Sequence, residues 1–348
     1  MRRKDSISDF QHVHESEEGS STDLTQQRQE QGIEMLVQQL KETADKLIRD
    51  QANRGDVKLL NTAVKELRYA FKVFAPYRHR RKVTVFGSAR LPLDHPACQV
   101  AIEFGRRMAQ AGYFVITGAA SGIMEAGHVG AGRENSIGVN ILLPFEQDAN
   151  PVIAGDQKLM HLKYFFTRKL LFVKESDAVA LFPGGFGTQD EGFEVLTLVQ
   201  TGKSHLFPIV MIDEPGGDYW TAWDRYIRDY LLARRMISPA DLALYKVTTS
   251  CDEAVAEVLN FYRVYHSMRY VRRDLILRLQ RPLGESTLAA IRRDFADILD
   301  SGTFEQIAAL PAEANDAHLA ALPRLRFRFD RRSMGRLRML IDLINREP

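Results

Sequence analysis

Cysteine is nearly missing from this sequence: Cys98 and Cys251 are the two in 348 residues, and they lie far apart. No CxxC pair and no Cys/His ligand spacing accompany them, so no redox motif is present and no metal is expected. Membrane-length apolar runs are missing too; no stretch approaches the roughly 20 residues that a span needs. The N-terminus, "MRRKDSISDFQHVHESEEGSSTDL", has no apolar centre, so it does not read as a secretory signal. A soluble, cytoplasmic protein without membrane partners is the resulting expectation. An excess of one charge is also absent. Lys and Arg number 47 against 45 Asp and Glu, a net charge of +2, which does not point to nucleic acid. Three catalytic signatures are missing as well. There is no "GxxxxGK[ST]" phosphate loop, no clean "GxGxxG" and no "GxSxG" nucleophile elbow.

What the chain does contain is a succession of short β-branched runs and amphipathic helices. Residues 1–30 are polar, rich in Ser, Glu and Gln, and read as a disordered tail. Residues 31–76 have helical apolar spacing, broken into two helices by "NRGD" at 53–56. Strands are then expected at "KVTVFGSAR" (82–90), "YFVITG" (113–118), "SIGVNILLP" (136–144), "DAVALFPGG" (177–185) and "LFPIVMID" (206–213). Helices are expected between them and beyond, at 97–112, 167–176, 188–202, 219–237 and 252–268. This alternation predicts an α/β, Rossmann-like, doubly wound parallel sheet over 77–268. In such sheets ligands bind beyond the carboxyl ends of the strands, where the Gly-rich stretches of this chain fall.

Residues 269–348 read as a small, basic α/β extension. Its segment 323–348 holds eight Arg against Asp330, Asp342 and Glu347, a local net of +5. No aromatic stacking platform accompanies these charges, so a solvated or packing face is expected rather than a nucleic-acid surface.

The chemistry concentrates in "LFPGGFGTQDE" (181–191). Gly184, Gly185 and Gly187 free the backbone to approach a ligand and turn N–H groups towards it. A helix expected to start near Thr188 adds its positive end, and Thr188 could cap it and donate to a phosphate oxygen. Asp190, Glu191 and Glu194 follow in the first two turns. Carboxylates would repel an anion beside them unless they met another part of the ligand. A sugar phosphate suits that division, with phosphate on the loop and Glu191 at the ribose. Arg168 and Lys169, in "FFTRKLL", precede the same strand, and Arg is well suited to bidentate phosphate recognition. His128 and His161 have no ligand-spaced partners and are read as structural or solvent-facing.

These residues resemble the LONELY GUY (LOG) family, long mislabelled as lysine decarboxylases. "PGGFGTQDE" (183–191) fits its "PGGxGTxxE" signature, and "VTVFGSAR", "GIMEAG" and "GVNILLPFEQDANP" fit in order. The resemblance spans roughly residues 80–260 and is strongest with the longer-chain bacterial members. It implies a nucleotide-binding catalytic domain over 77–268. The implied activity is hydrolysis of purine or cytokinin ribonucleoside 5'-monophosphates, AMP included, to free base and ribose 5-phosphate. It implies no cofactor, and a homodimer or larger homo-oligomer with sites where subunits meet. The family's catalytic Arg and Glu fall on Arg168 and Glu191. Its substrate contacts fall on Lys169, Gly184, Gly185, Gly187 and Thr188, with Thr197 and Glu146 as further matches. Phe186, Gln189, Asp190 and Glu194 from the same motif complete the candidate set. So do Gly87, Ser88, Gly118, Gly122, Met124 and Glu125 from the two preceding loops.

The sequence departs from the family at "TGAASGIMEA", where Ala119 and Ala120 replace glycines, and at Gly192, where Leu is commoner. The substitutions at 119 and 120 are expected to tighten that loop and alter how base or phosphate is approached. Two other functions fit parts of the pattern. A non-catalytic carrier of a nucleotide or phosphorylated cofactor could use the same loop but could dispense with the Arg/Glu pair. A lysine decarboxylase would need a Schiff-base lysine, and none stands in a convincing position.

Overall fold

The computed structural model describes residues 30–142, 148–313 and 316–346. Its main sheet is built from runs such as "KVTVF" and "AVAL", in which every residue is buried. Strands β1 (Lys82–Phe86), β2 (Phe114–Thr117), β3 (Ser136–Ile141), β4 (Leu159–Leu162), β5 (Ala178–Leu181), β6 (Ile209–Ile212) and β7 (Lys246–Thr248) pair in parallel. Their order is β4-β3-β2-β1-β5-β6-β7. The chain therefore winds outward from β1 to one edge, then returns to β5 on the other side of β1. That reversal opens a crevice at the carboxyl ends of β1 and β5.

Strand periodicity divides the core into two layers. Val83, Val85, Val115, Ala178, Ala180, Val210 and Ile212 face helices α3 (Pro96–Gln110), α4 (Ile123–Ala131) and α8 (Cys251–Phe261). Their neighbours Phe86, Ile116, Val179, Leu181 and Met211 join the opposite layer with α5 (Phe165–Glu175) and α6 (Phe186–Gln200). The sheet is covered on both faces, which makes this a Rossmann-like α/β fold.

A second, antiparallel sheet follows in the order β10-β11-β9-β8. It comprises β8 (Tyr265–Val271), β9 (Asp274–Leu279), β10 (Leu299–Ile307) and β11 (Arg324–Phe329), with helices α9 (Glu285–Asp294) and α10 (Met334–Asn345). Several of its arginines are packing elements. Arg338 is buried on α10, 2.9 Å from Asp342, and also pairs with Glu257 on α8.

The structure corrects several elements. The expected helix over 252–268 ends at Phe261, because Asn345 stops it. Its side-chain nitrogen donates to Phe261 O (2.6 Å), while its oxygen accepts from Val264 N (2.9 Å) and Tyr265 N (3.0 Å). The expected long helix over 219–237 is α7 (Tyr219–Tyr226) continued by a π-helical turn, Ile227–Leu232. Ala233 N reaches back five residues to Arg228 O there. Strands β4 and β7, three or four residues each, carry no sequence signal long enough to read.

Before the sheet lie helix α1, over 30–49, and α2 (Arg54–Phe74). Asn53 opens α2 by accepting from Asp56 N at 3.0 Å. Contacts divide the chain into two units, Met1–Thr62 with Ala308–Leu322, and Ala63–Ile307 with Pro323–Pro348. The later part of α2 thus falls in the larger unit, whose core includes Ala70 and Phe74. The expected boundary at 268/269 falls inside β8. The tail up to residue 29 lies outside the described residues.

Candidate functional site

Three loops converge beyond the carboxyl ends of β1, β2 and β5. Ser88 N donates to Pro183 O (3.0 Å), joining the first loop to the third. Ile123 N donates to Ser88 O (2.9 Å), joining the first to the second. Gly122 sits at φ +66°, and a Cβ there would stand 2.3 Å from Ser88 O, so the contact needs a glycine. Between the loops lies a cavity of about 900 Å³, the size of a small-molecule site. A smaller hollow of about 420 Å³ lies at the amino ends of β1 and β5, lined by residues such as Phe71, Lys82 and His205.

The glycine motif divides into two kinds of position. A Cβ at Gly184 would stand 2.1 Å from Thr188 Oγ1 and 3.0 Å from Ser88 N, so protein packing requires this glycine. A Cβ at Gly185 or Gly187 would meet nothing within 4 Å, and both positions open into the cavity. Helix α6 begins at Phe186, earlier than expected, with Gly185 as its N-cap and no side-chain cap. Thr188 is therefore not the cap. It sits in the first turn, where its amide donates to Gly185 O at 3.1 Å. The start of α6 lies at the cavity, where the positive end of a helix favours an anion.

Arg168, from α5, and Glu191, from α6, line the same cavity. Glu191 is 4% exposed, and its Oε2 has no hydrogen-bond partner. Arg168 Nε is likewise buried without a partner. Buried polar atoms normally find partners, so two orphans of opposite charge in one cavity mark a place for a ligand. Burial pushes the Glu191 carboxyl up to about 7, against the pull of Lys169 and Arg168. Burial also holds Arg168 below the ordinary arginine range, with Glu191 and Asp190 opposing.

Lys169 does something different from Arg168. Its Nζ is 2.5 Å from Glu194 Oε2, 2.9 Å from Asp190 Oδ2 and 3.9 Å from Glu191 Oε2, and it does not line the cavity. Partial burial works to lower its pKa, but the hydrogen bonds to Glu194 and Asp190 outweigh that and raise it. The lysine holds the acidic row of α6 in place.

Of the other expected residues, Gly87, Ser88, Gly118, Met124, Phe186 and Gln189 line the cavity. Phe186 is 96% exposed at its rim. Gly122 supports the loops from behind, Glu125 lies on α4 away from the cavity, and Thr197 is exposed further along α6. Glu146 lies outside the described residues. Ala119 adopts φ +61°, keeping a glycine-like backbone despite its Cβ. Its methyl is fully buried against Ile153 and Leu159, so it does not reach the ligand space, whereas Ala120 does. His128 is buried and bonded to Thr117, Ile137 O and Asn150, and burial pushes its pKa down to about 4. It is structural.

Four polar lining residues were not singled out from the sequence: Arg90, Asn140 and Asp148, which lie within the motif stretches, and Tyr219, which lies outside them. Tyr219 is tied to the glycine loop. Its hydroxyl donates to Gly184 O (2.6 Å) and accepts from Gln189 Nε2 (2.6 Å). Arg90, two residues after Ser88 in "FGSAR", could have been found as a cation following a strand-end glycine. Among the described residues, no group of three His, Cys, Asp or Glu is placed to hold a metal ion. No described helix is long and apolar enough to cross a membrane.

Residues 117–258 match the sequence profile of the family described as "possible lysine decarboxylase". No curated protein matches the chain. Among solved structures the chain is similar to TM1055, at 24% identity over 50% of this chain and 96% of that one, with a TM-score of 0.37. It is also similar to the molybdenum cofactor carrier protein of Chlamydomonas reinhardtii, at 18% identity over 52% and 97%, TM-score 0.36. The molybdenum cofactor binding protein of Rippkaea orientalis gives 16% identity over 51% and 94%, TM-score 0.35.

Proposed function

We propose that the chain, whose residues 117–258 match the family described as "possible lysine decarboxylase", hydrolyses purine ribonucleoside 5'-monophosphates. Water replaces the base at C1' of the ribose. The C1'–N bond breaks with its electron pair going to the base, which takes up a proton, and ribose 5-phosphate is the other product. The observation that carries this reading is the pair of orphaned, buried atoms, Glu191 Oε2 and Arg168 Nε, in one cavity.

The roles follow from chemistry. The amides at the start of α6 and the open backbone at Gly185 and Gly187 hold the 5'-phosphate. Arg90, exposed at the rim, adds a cation to that end. Arg168 holds phosphate or sugar oxygens and so fixes the ribose. The transition state gathers positive charge on the ribose, as in other glycosidic cleavages. Glu191, ionised, stabilises that charge and orients the water. Lys169, held by Asp190 and Glu194, acts behind Glu191 rather than on the phosphate.

A decarboxylase acting through a Schiff base needs a lysine in the cavity. Among the described residues that line it there is none. A carrier would bind the same ligand and return it intact. Incubation with AMP and isopentenyladenosine monophosphate, followed by chromatography, separates the two: free base supports the hydrolase, and intact retained nucleotide supports the carrier. We also propose that the protein works as a homo-oligomer, with the exposed Phe186 covered by a neighbouring subunit. Sedimentation of the full chain tests this, and a monomer at micromolar concentration would refute it.

A further inference from the structure

The helix that carries Arg168 lacks a cap of its own. Tyr164, at the N-cap of α5, makes no side-chain capping bond. A carboxylate from α2 brackets its first turn from outside. Glu66 Oε1 accepts from Lys163 N at 2.7 Å, and Glu66 Oε2 accepts from Thr167 Oγ1 at 2.7 Å. Both carboxylate oxygens are engaged, and a negative charge at a helix N-terminus is favourable. Glu66 stands 97 residues before Lys163, in the helical extension that the glycine-loop pattern does not cover.

The consequence falls on the next residue. Thr167 is fully buried, and Arg168 follows it in the first turn, closed by Arg168 N donating to Tyr164 O at 3.3 Å. The Arg168 guanidinium lies 5.0 Å from the Phe165 ring and 5.6 Å from the Phe172 ring, and its Nε has no hydrogen bond. Without a polar tether, the position of the guanidinium is set by the backbone of that turn. Glu66 ties that turn at both ends, at Lys163 N and at Thr167 Oγ1, beside the turn's own Thr167 Oγ1 contact to Tyr164 O at 2.8 Å. Its own helix is anchored by Ala63, Ala70 and Phe74, which are buried in the same unit.

We propose that Glu66 is a positioning residue for Arg168, so that α2 is a working part of the site rather than an appendage. This rests on the reading of Arg168 as the group that holds the substrate. Glu66 touches neither ligand nor cavity and acts through the first turn of α5.

The test is a double-mutant cycle in the full chain, with Glu66→Ala, Arg168→Ala and the pair. Glu66→Ala should lower kcat/KM for AMP on the order of tenfold, since small misplacements of a positioning group are costly. In the Arg168→Ala background the same change should have no further effect, because the residue it positions is gone. Equal losses in both backgrounds would overturn the proposal and leave Glu66 a general structural residue. Glu66→Gln, which retains one acceptor, should fall between wild type and Glu66→Ala and guards against a misfolded alanine variant. If wild type releases no base from any nucleotide, the hydrolase reading fails, and the cycle is read on the Kd for AMP instead. Hydrogen exchange gives a readout without ligand: Glu66→Ala should speed exchange at the amides of 163–168 and spare the rest of α5. Unchanged exchange there would also overturn the proposal.

Discussion

Glu191 Oε2 lies 3.9 Å from Lys169 Nζ, beyond hydrogen-bond reach, while the same ammonium is engaged by Asp190 and Glu194. The lysine is near enough to favour the Glu191 carboxylate but leaves its oxygen unbonded. Burial outweighs the attraction and lifts the carboxyl to about 7. The site so holds a carboxylate that is poorly solvated and available for a ligand. Its energetics can be tested through pH.

The ionised form of Glu191 is the form that stabilises positive charge on the ribose. kcat/KM for AMP should therefore rise with pH and level off above about 7. A flat profile between pH 5.5 and 8.5 would separate this carboxyl from the rate. The same shift carries a stability signature. The folded pKa is raised from 4.5, so the stability linked to the protonated form is complete below about 4.5 and is lost as pH rises through about 7. Glu191→Gln removes that loss. Its stability should match wild type near pH 4.5 and exceed it above pH 7, by on the order of 3 kcal/mol at most. Thermal melts across that range check the sign.

The glycines of the motif should separate by substitution. Gly187 is helical with open space at its Cβ position, so Gly187→Ala should raise stability by up to about 1 kcal/mol. It should nevertheless weaken nucleotide binding, because the methyl enters the ligand space. Gly184→Ala forces a methyl against Thr188 and Ser88 and should cost about 1–3 kcal/mol of stability. Melting curves and AMP titrations on the two variants measure both effects.

Tyr219 holds Gly184 O and Gln189 at once. Tyr219→Phe removes the hydroxyl and should cost on the order of 1 kcal/mol of nucleotide affinity, since the glycine loop then loses a fixed position. Unchanged affinity would make the tyrosine a lining residue only.

The two alanines that replace family glycines should behave unlike each other. Ala120 lines the cavity and Ala119 does not. Ala120→Gly should change the ratio of kcat/KM between AMP and isopentenyladenosine monophosphate. Ala119→Gly should change stability and leave that ratio alone.

The parallel sheet was legible because "KVTVF", "FVIT" and "AVAL" are continuous apolar runs ending at glycines. Arg168 and Glu191 were legible because a motif fixes their spacing to the glycine loop. What escaped was set by contacts distant in sequence. Asn345 stops α8 from 84 residues away, and no local pattern near Phe261 announces it. Tyr219 reaches the loop from α7, and its type and spacing resemble those of any half-buried aromatic. Lys169 reads like its neighbour Arg168, yet the side chains turn to different surroundings, which a sequence cannot distinguish. Ala119 looked like a restriction on the ligand, but its backbone keeps the glycine conformation and its methyl fills the core.

The most direct measurement of the central claim is product analysis with AMP, comparing the wild-type chain with Glu191→Gln. Wild type should release adenine and ribose 5-phosphate in equal amounts, and Glu191→Gln should bind AMP but release neither. Full turnover by Glu191→Gln, or no base from any of a panel of nucleoside 5'-monophosphates with wild type, would contradict the account.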